Sequence, residues 1–282
     1  MIGAAIDAGI TLFDVADVYG VPAGRSEELL GAALGSRRSE VIVATKFGMN
    51  AHGAAGPDFG DRGSRRYIVR AVERSLRRLQ TDWIDLYQLH HPDPVTPIEE
   101  TLAALDDLVR QGKVRYIGHS NFSGWQLADA AWTAKAAGTT PFISAQNEFS
   151  LLHRRPNREL LPAAERFGVG VLPFFPLANG LLTGKYARGA APQGSRLERI
   201  KPSLMDSAPW DTLDALQTFA DERGISLLQV AFGWLLAQPQ VASVIAGATR
   251  PEQVVANAEA ARSWTPTADD LAAIDAIVPP PS

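Results

Sequence analysis

Four polar residues lie at or just after the ends of apolar runs in the first third of this 282-residue chain. Residues 10–14 end in Asp14, with Tyr19 shortly after; residues 41–46 end in Lys46; residues 84–90 end in His90. Each run reads as a buried strand, and in parallel α/β barrels active sites sit where strands end and loops begin. The spacing therefore points to one shared pocket. A free phenol, with a pKa of about 10, is a poor proton donor at neutral pH, and a nearby ammonium favours its phenolate. An aspartate can hold the lysine charged and in place, and a histidine can orient a carbonyl oxygen toward the phenol. Together they would make a general acid with its tuning shell. A plainer reading stands beside this one: a surface Tyr, a structural Asp–Lys pair and a core His, because structural ion pairs also perturb pKa.

Alternating elements must position these groups. Residues 1–9 read as the tail of a helix stopped by Gly9. Strand runs at 10–14, 41–46, 84–90, 114–118, 142–146, 169–174 and 241–246 are separated by helical patterns. In residues 67–79 the apolar face is Ile68, Val72, Leu76 and Leu79, with the arginines mostly opposite. Thr96-Pro-Ile-Glu99 predicts a helix start with Thr96 as cap and Pro97 in first position; Ser123-Gly-Trp-Gln126 predicts another by the same device. Helices are expected near 158–167, 211–223, 226–237, 251–260 and 269–277, the last capped by Thr267. Residues 48–63 and 175–209 read as long irregular loops, lengths usual for functional segments. Strand–helix alternation predicts a parallel sheet covered by helices. The expectation is an α/β chain forming one domain over 1–282: a (β/α)8 TIM barrel lacking its first strand, so that about seven remain. The runner-up is an open doubly wound sheet, disfavoured because no G-x-G-x-x-G follows an early strand.

Composition narrows the function classes. Apolar residues are 46% of the chain, ample for a large core, and the net charge of −4 carries no long basic run. A nucleic-acid surface is not expected. Without cysteine there is neither a disulfide framework nor a thiol nucleophile. Five scattered histidines (His52, His90, His91, His119 and His153) lack H-x-x-x-H spacing, so no metal site is expected. No stretch approaches the roughly 20 apolar residues that span a bilayer, and a cytoplasmic place is expected. The oligomeric state is not legible.

Phe13-Asp-Val-Ala-Asp-Val-Tyr-Gly20, Ala44-Thr-Lys-Phe-Gly48, Ile84-Asp-Leu-Tyr-Gln-Leu-His90 and Gly118-His-Ser-Asn121 resemble the aldo-keto reductases, with further motifs in order to about Asn257. The family has a capping hairpin and a first barrel strand ahead of residue 1. The resemblance selects His90 over His91 as the catalytic ring. It implies that Ser120, Asn121 and Gln146 hold a nicotinamide carboxamide, a group that needs both donors and acceptors; by themselves Ser120 and Asn121 could equally cap a turn. Phe174 matches an aromatic ring stacked on nicotinamide, and Phe175 stands where the family usually has serine. Leu177, Gly180 and Lys185 fall in a segment that lies over the pyrophosphate in the family, although a solvated loop lysine reads the same way. Gly247, Thr249, Arg250, Gln253 and Asn257 match the adenosine 2′-phosphate end. There a helix N-terminus attracts phosphate and Arg250 can fork onto it, which favours NADPH over NADH.

The resulting expectation is NADP(H)-dependent reduction of a small aldehyde or ketone, with Tyr19 as general acid. Two alternatives remain open: a dinucleotide-binding regulatory or redox-sensing subunit with little turnover, and a Schiff-base enzyme using Lys46 as nucleophile.

Overall fold

The computed structural model describes residues 1–281 except 52, 54, 55, 58, 191, 194, 196 and 199–201. Of the sequence expectations, His52 and parts of the 48–63 and 175–209 loops lie outside the described residues. The chain forms two compact units, Met1–Asn147 with Glu159–Val171, and Glu148–Arg158 with Leu172–Ser282.

The first unit is a six-stranded parallel sheet in the order β1 to β6. The strands are β1 Leu12–Asp14, β2 Ile42–Phe47, β3 Ile84–Leu89, β4 Val114–Ser120, β5 Ser144–Gln146 and β6 Gly170–Val171. Helix α1 (Ile2–Asp7) precedes them. The crossovers are α2 (Arg25–Leu34), α3 (Arg65–Leu79), α4 (Ile98–Arg110), α5 (Gly124–Ala137) and α6 (Leu160–Phe167). Each strand pairs with its sequence neighbour, as in a barrel, and the order never reverses as it does in a doubly wound sheet. Register ties β1 to β2 through Asp14 opposite Ala44, β2 to β3 through Lys46 opposite Gln88, and β4 to β5 through Ser120 opposite Gln146. The polar residues of the site thus share neighbouring rungs at one end of the strands.

Helix α3 buries Ile68, Val72, Leu76 and Leu79, the face its periodicity predicts. It packs on α2 at Gly31, where an added Cβ would sit 2.5 Å from the Leu79 carbonyl oxygen. Helix α5 starts at Ser123, whose backbone N–H donates to Gln126 Oε1 at 3.0 Å. Helix α4 corrects the expectation: its N-cap is Pro97, with no side-chain cap. Thr96 Oγ1 instead donates to Asp93 Oδ2 at 2.8 Å, a local bond that competes with capping.

The second unit is helical: α7 Pro202–Asp206, α8 Trp210–Glu222, α9 Leu227–Leu236, α10 Pro251–Ser263 and α11 Ala268–Ile277, with a 3-10 turn at Ala178–Thr183. The 175–209 stretch is therefore less irregular than expected. Phe149 packs on Trp234 at 5.1 Å between ring centres, and Leu216, Val230, Leu235 and Ile274 are buried. Thr267 caps α11 by accepting from the Asp270 N–H.

The sequence predicts seven strands, and six form among the described residues. Residues 242–246 enter no ladder beyond the Ile245 N–H bond to the Pro173 carbonyl at 3.0 Å. One rung there would need Pro173 to donate to the Ser243 carbonyl, and a proline has no N–H. The 169–174 run gives only the two-residue β6; beyond it Phe174 makes an isolated parallel bridge to Glu148.

Candidate active site

The site begins with the period-2 geometry of β2 and β3. Lys46 and Gln88 lie on one face of the sheet, and His90 follows two residues after Gln88. Lys46 is fully buried and its ammonium donates to Asp14 Oδ2 and to the Val15 carbonyl, the latter at 3.1 Å. The other Asp14 oxygen accepts from Gln146 Nε2 at 2.9 Å and Gln88 Nε2 at 3.3 Å. A buried carboxylate thus gathers one cation and two amides, which is how a buried charge is tolerated.

Tyr19 reaches the same place from the loop after β1. Its N–H donates to the Ala16 carbonyl at 3.1 Å, and its own carbonyl accepts from Ser26 N–H at the start of α2. Ser26 Oγ donates to the Ala16 carbonyl. These bonds fold residues 16–19 into a turn that aims the phenol at Lys46, 3.5 Å from Nζ to Oη, and at His90, 3.4 Å from Nε2. Tyr19 as a residue is 40% exposed, so it is not sealed in the core. Burial, then the Lys46 and His91 charges, depress His90 to about 3, so its imidazole is neutral across the physiological range. Its Nδ1 is buried without a hydrogen-bond partner among the described residues.

Next to this group Asn121 adopts a left-handed φ of 62° and donates from Nδ2 to the His90 carbonyl at 2.9 Å and to Ser120 Oγ at 3.0 Å. Ser120 Oγ donates to the Gln146 carbonyl at 2.7 Å. The first unit therefore brings together Asp14, Tyr19, Lys46, His90, Ser120, Asn121 and Gln146. Two amides and a hydroxyl beside the phenol are the mixed donor and acceptor set that a carboxamide needs. A depression of about 420 Å³ in this unit is lined by Asn50, Gly53, Gly56, Pro57 and Arg62, and by none of these seven residues.

The other expected cofactor residues belong to the second unit. Phe174 is half-buried with its ring edge-on to Phe175, and Leu177 accepts from Gly180 N–H in the 3-10 turn. Lys185 is exposed over the Tyr186 ring. Gly247, Thr249 and Arg250 are exposed ahead of α10. Gln253 turns back: its Oε1 accepts from Thr249 N–H, Thr249 Oγ1 and Arg250 N–H, so that oxygen is engaged by the turn. Asn257 lies half-buried one turn on.

Sequence reasoning missed Gln88 and a buried cluster behind β2. Gln88 was detectable as the polar residue two before His90, on the same strand face. Behind β2, Glu27 is fully buried and accepts from Thr45 Oγ1 at 2.6 Å and Arg78 Nε at 2.7 Å. His119 is a core residue: it stacks on Phe122 at 4.4 Å, and burial holds it near 3.

Comparisons with known proteins bear on the whole chain. The profile described as "Aldo/keto reductase family" matches residues 1–279. A probable voltage-gated potassium channel subunit beta from Oryza sativa subsp. japonica is 40% identical over 270 residues, covering 92% of this chain and 80% of the relative. An L-glyceraldehyde 3-phosphate reductase from Escherichia coli (strain K12) is 37% identical, covering 96% and 80%. Aldo-keto reductase YhdN from Bacillus subtilis (strain 168) is 37% identical, covering 98% and 82%. The sheet order, the grouped polar residues and these matches agree: the chain belongs to the aldo/keto reductase family of oxidoreductases.

Proposed function

We propose that this protein reduces an aldehyde or ketone to the alcohol, reversibly, with NADPH as reductant, and that Tyr19 delivers the proton. The observation that carries the reading is the Tyr19 oxygen standing 3.5 Å from the buried Lys46 ammonium and 3.4 Å from His90 in a residue that stays exposed. Tyr19 gives its proton to the substrate oxygen. The Lys46 cation faces the phenolate left behind, and Asp14 keeps that cation in place. His90, neutral at working pH, offers a hydrogen bond to the carbonyl oxygen without adding charge.

Bound reduced dinucleotide supplies the hydride. Ser120, Asn121 and Gln146 would hold its carboxamide and Phe174 would stack on the ring. Leu177, Gly180 and Lys185 would line the pyrophosphate. Gly247, Thr249 and Arg250 at the start of α10 would take the adenosine 2′-phosphate, with Gln253 and Asn257 near the adenine.

Tyr19→Phe is the test. Turnover of a panel of aldehydes, followed by absorbance of the reduced nicotinamide, should fall by about 10²–10⁴-fold while NADPH still binds. Undiminished turnover would end the assignment. A second reading, an NADPH-binding auxiliary subunit, draws support from the rice relative's name. Tight NADPH binding with very slow turnover across the panel would favour it. The Schiff-base reading is opposed by the full burial of Lys46 and its ion pair; borohydride trapping on Lys46 would revive it.

A further inference from the structure

Beneath the turn that presents Tyr19 lies a charged group for which the proposed reaction has no use. Asp17 is 4% exposed, and neither carboxyl oxygen makes a hydrogen bond of good geometry among the described residues, although the Val18 N–H lies close by. Within its electrostatic reach are Glu27 from α2, Arg78 from α3, Lys46 from β2 and Tyr87 of β3. Glu27 takes the donors at hand, Thr45 and Arg78, and Lys46 is bound to Asp14. Asp17 is left as a buried carboxyl beside a buried carboxylate. A group so placed neutralises rather than stay charged without a partner. Its backbone is part of the site's frame: Asp17 N–H donates to the Lys46 carbonyl at 3.1 Å, and Asp17 is the first inner residue of the turn closed by Tyr19 N–H on Ala16.

Resting on the reductase reading above, we propose that Asp17 is a positioning residue that holds the Tyr19 turn against β2 only while its carboxyl is protonated. Burial first, then Glu27, raise Asp17 to about 7, against the opposing pull of Arg78, Lys46 and the Val18 N–H. Loss of that proton to solvent places a second negative charge beside Glu27. The carboxylate must then be hydrated, the turn opens, and Tyr19 leaves Lys46.

The test uses the full chain and two variants, Asp17→Asn and Glu27→Gln. Hydrogen exchange of the peptide spanning residues 15–21, corrected for intrinsic rate, is read at about pH 6 and about pH 8, beside the pH profile of kcat. In the wild type, exchange should rise roughly tenfold more than its neighbours across that range, and kcat should fall with it. Asp17→Asn cannot ionise, so its peptide stays protected and its alkaline arm is flat. Glu27→Gln removes the like charge, so the fall moves to lower pH. A merely structural role would not move these midpoints. Equal protection of the wild-type peptide at both pH values, or an Asp17→Asn variant that still responds, overturns the proposal; the wild-type measurement decides even if a variant does not fold. pH-dependent exchange without carbonyl turnover would remove the reductase reading and leave Asp17 standing. Turnover without that exchange would do the reverse.

Discussion

The Lys46–Asp14 pair can be tested by a double-mutant cycle in stability, independent of turnover. Lys46 is fully buried and the Asp14 side chain is 7% exposed. Replacing Lys46 by Met leaves the Asp14 carboxylate with only the Gln88 and Gln146 amides. Replacing Asp14 by Asn leaves the ammonium with the Val15 carbonyl and the distant phenol. Removing one partner of a buried pair costs about 3–5 kcal/mol, because the remaining charge is desolvated without compensation. That is a large part of a typical stability of roughly 5–15 kcal/mol. The double variant has no charge to strand, and the amide oxygen introduced at position 14 can still accept from the two glutamines. It should cost less than the sum of the single changes by at least about 2 kcal/mol. Urea unfolding at neutral pH, with unchanged slope, measures all four proteins. Costs that add to within about 0.5 kcal/mol would show that the two charges do not depend on each other and refute the buried-pair reasoning.

Three further outcomes are expected. Arg78→Met strands the buried Glu27 carboxylate and should cost about 3–5 kcal/mol in urea unfolding, with Arg78→Lys recovering part. Gly31→Ala drives a Cβ into the Leu79 backbone at 2.5 Å and should cost about 1–3 kcal/mol by forcing α2 and α3 apart; Gly3→Ala, with nothing within 4 Å, should not destabilise. His119 titrates near 3 when folded against an ordinary value of 6.5, so the unfolded chain binds the extra proton as pH falls and stability is lost through that window. His119→Phe should flatten that loss by roughly 3 kcal/mol between about pH 7 and about pH 4, read from unfolding curves at the two pH values.

The sheet and the four central residues were legible because buried strands announce themselves as apolar runs and the polar residue that ends each run stands out. Lys46, His90 and Asp14 were found that way, and Tyr19 by its place shortly after the run that Asp14 ends. The face of α3 followed from helical spacing alone. The expected seventh strand did not form; the apolar character of 241–246 does not show that Pro173, whose carbonyl Ile245 meets, has no N–H to offer that edge. Thr96 looked like a cap, but Asp93, three residues earlier, captures its hydroxyl. Gln88 and the Asp17–Glu27–Arg78 cluster were overlooked for another reason: their importance depends on tertiary neighbours from three or four different elements, and no local pattern encodes those pairings.

Asp14 collects side chains from β2, β3 and β5 onto one carboxylate, which makes its two oxygens a clasp across most of the sheet. A change to any of Lys46, Gln88 or Gln146 would be felt by the other two through that clasp. These positions are therefore a poor place to look for altered taste in substrates. Diversification, natural or engineered, has freer play in the connecting segments, where a new side chain can reshape the entrance without loosening the knot beneath it.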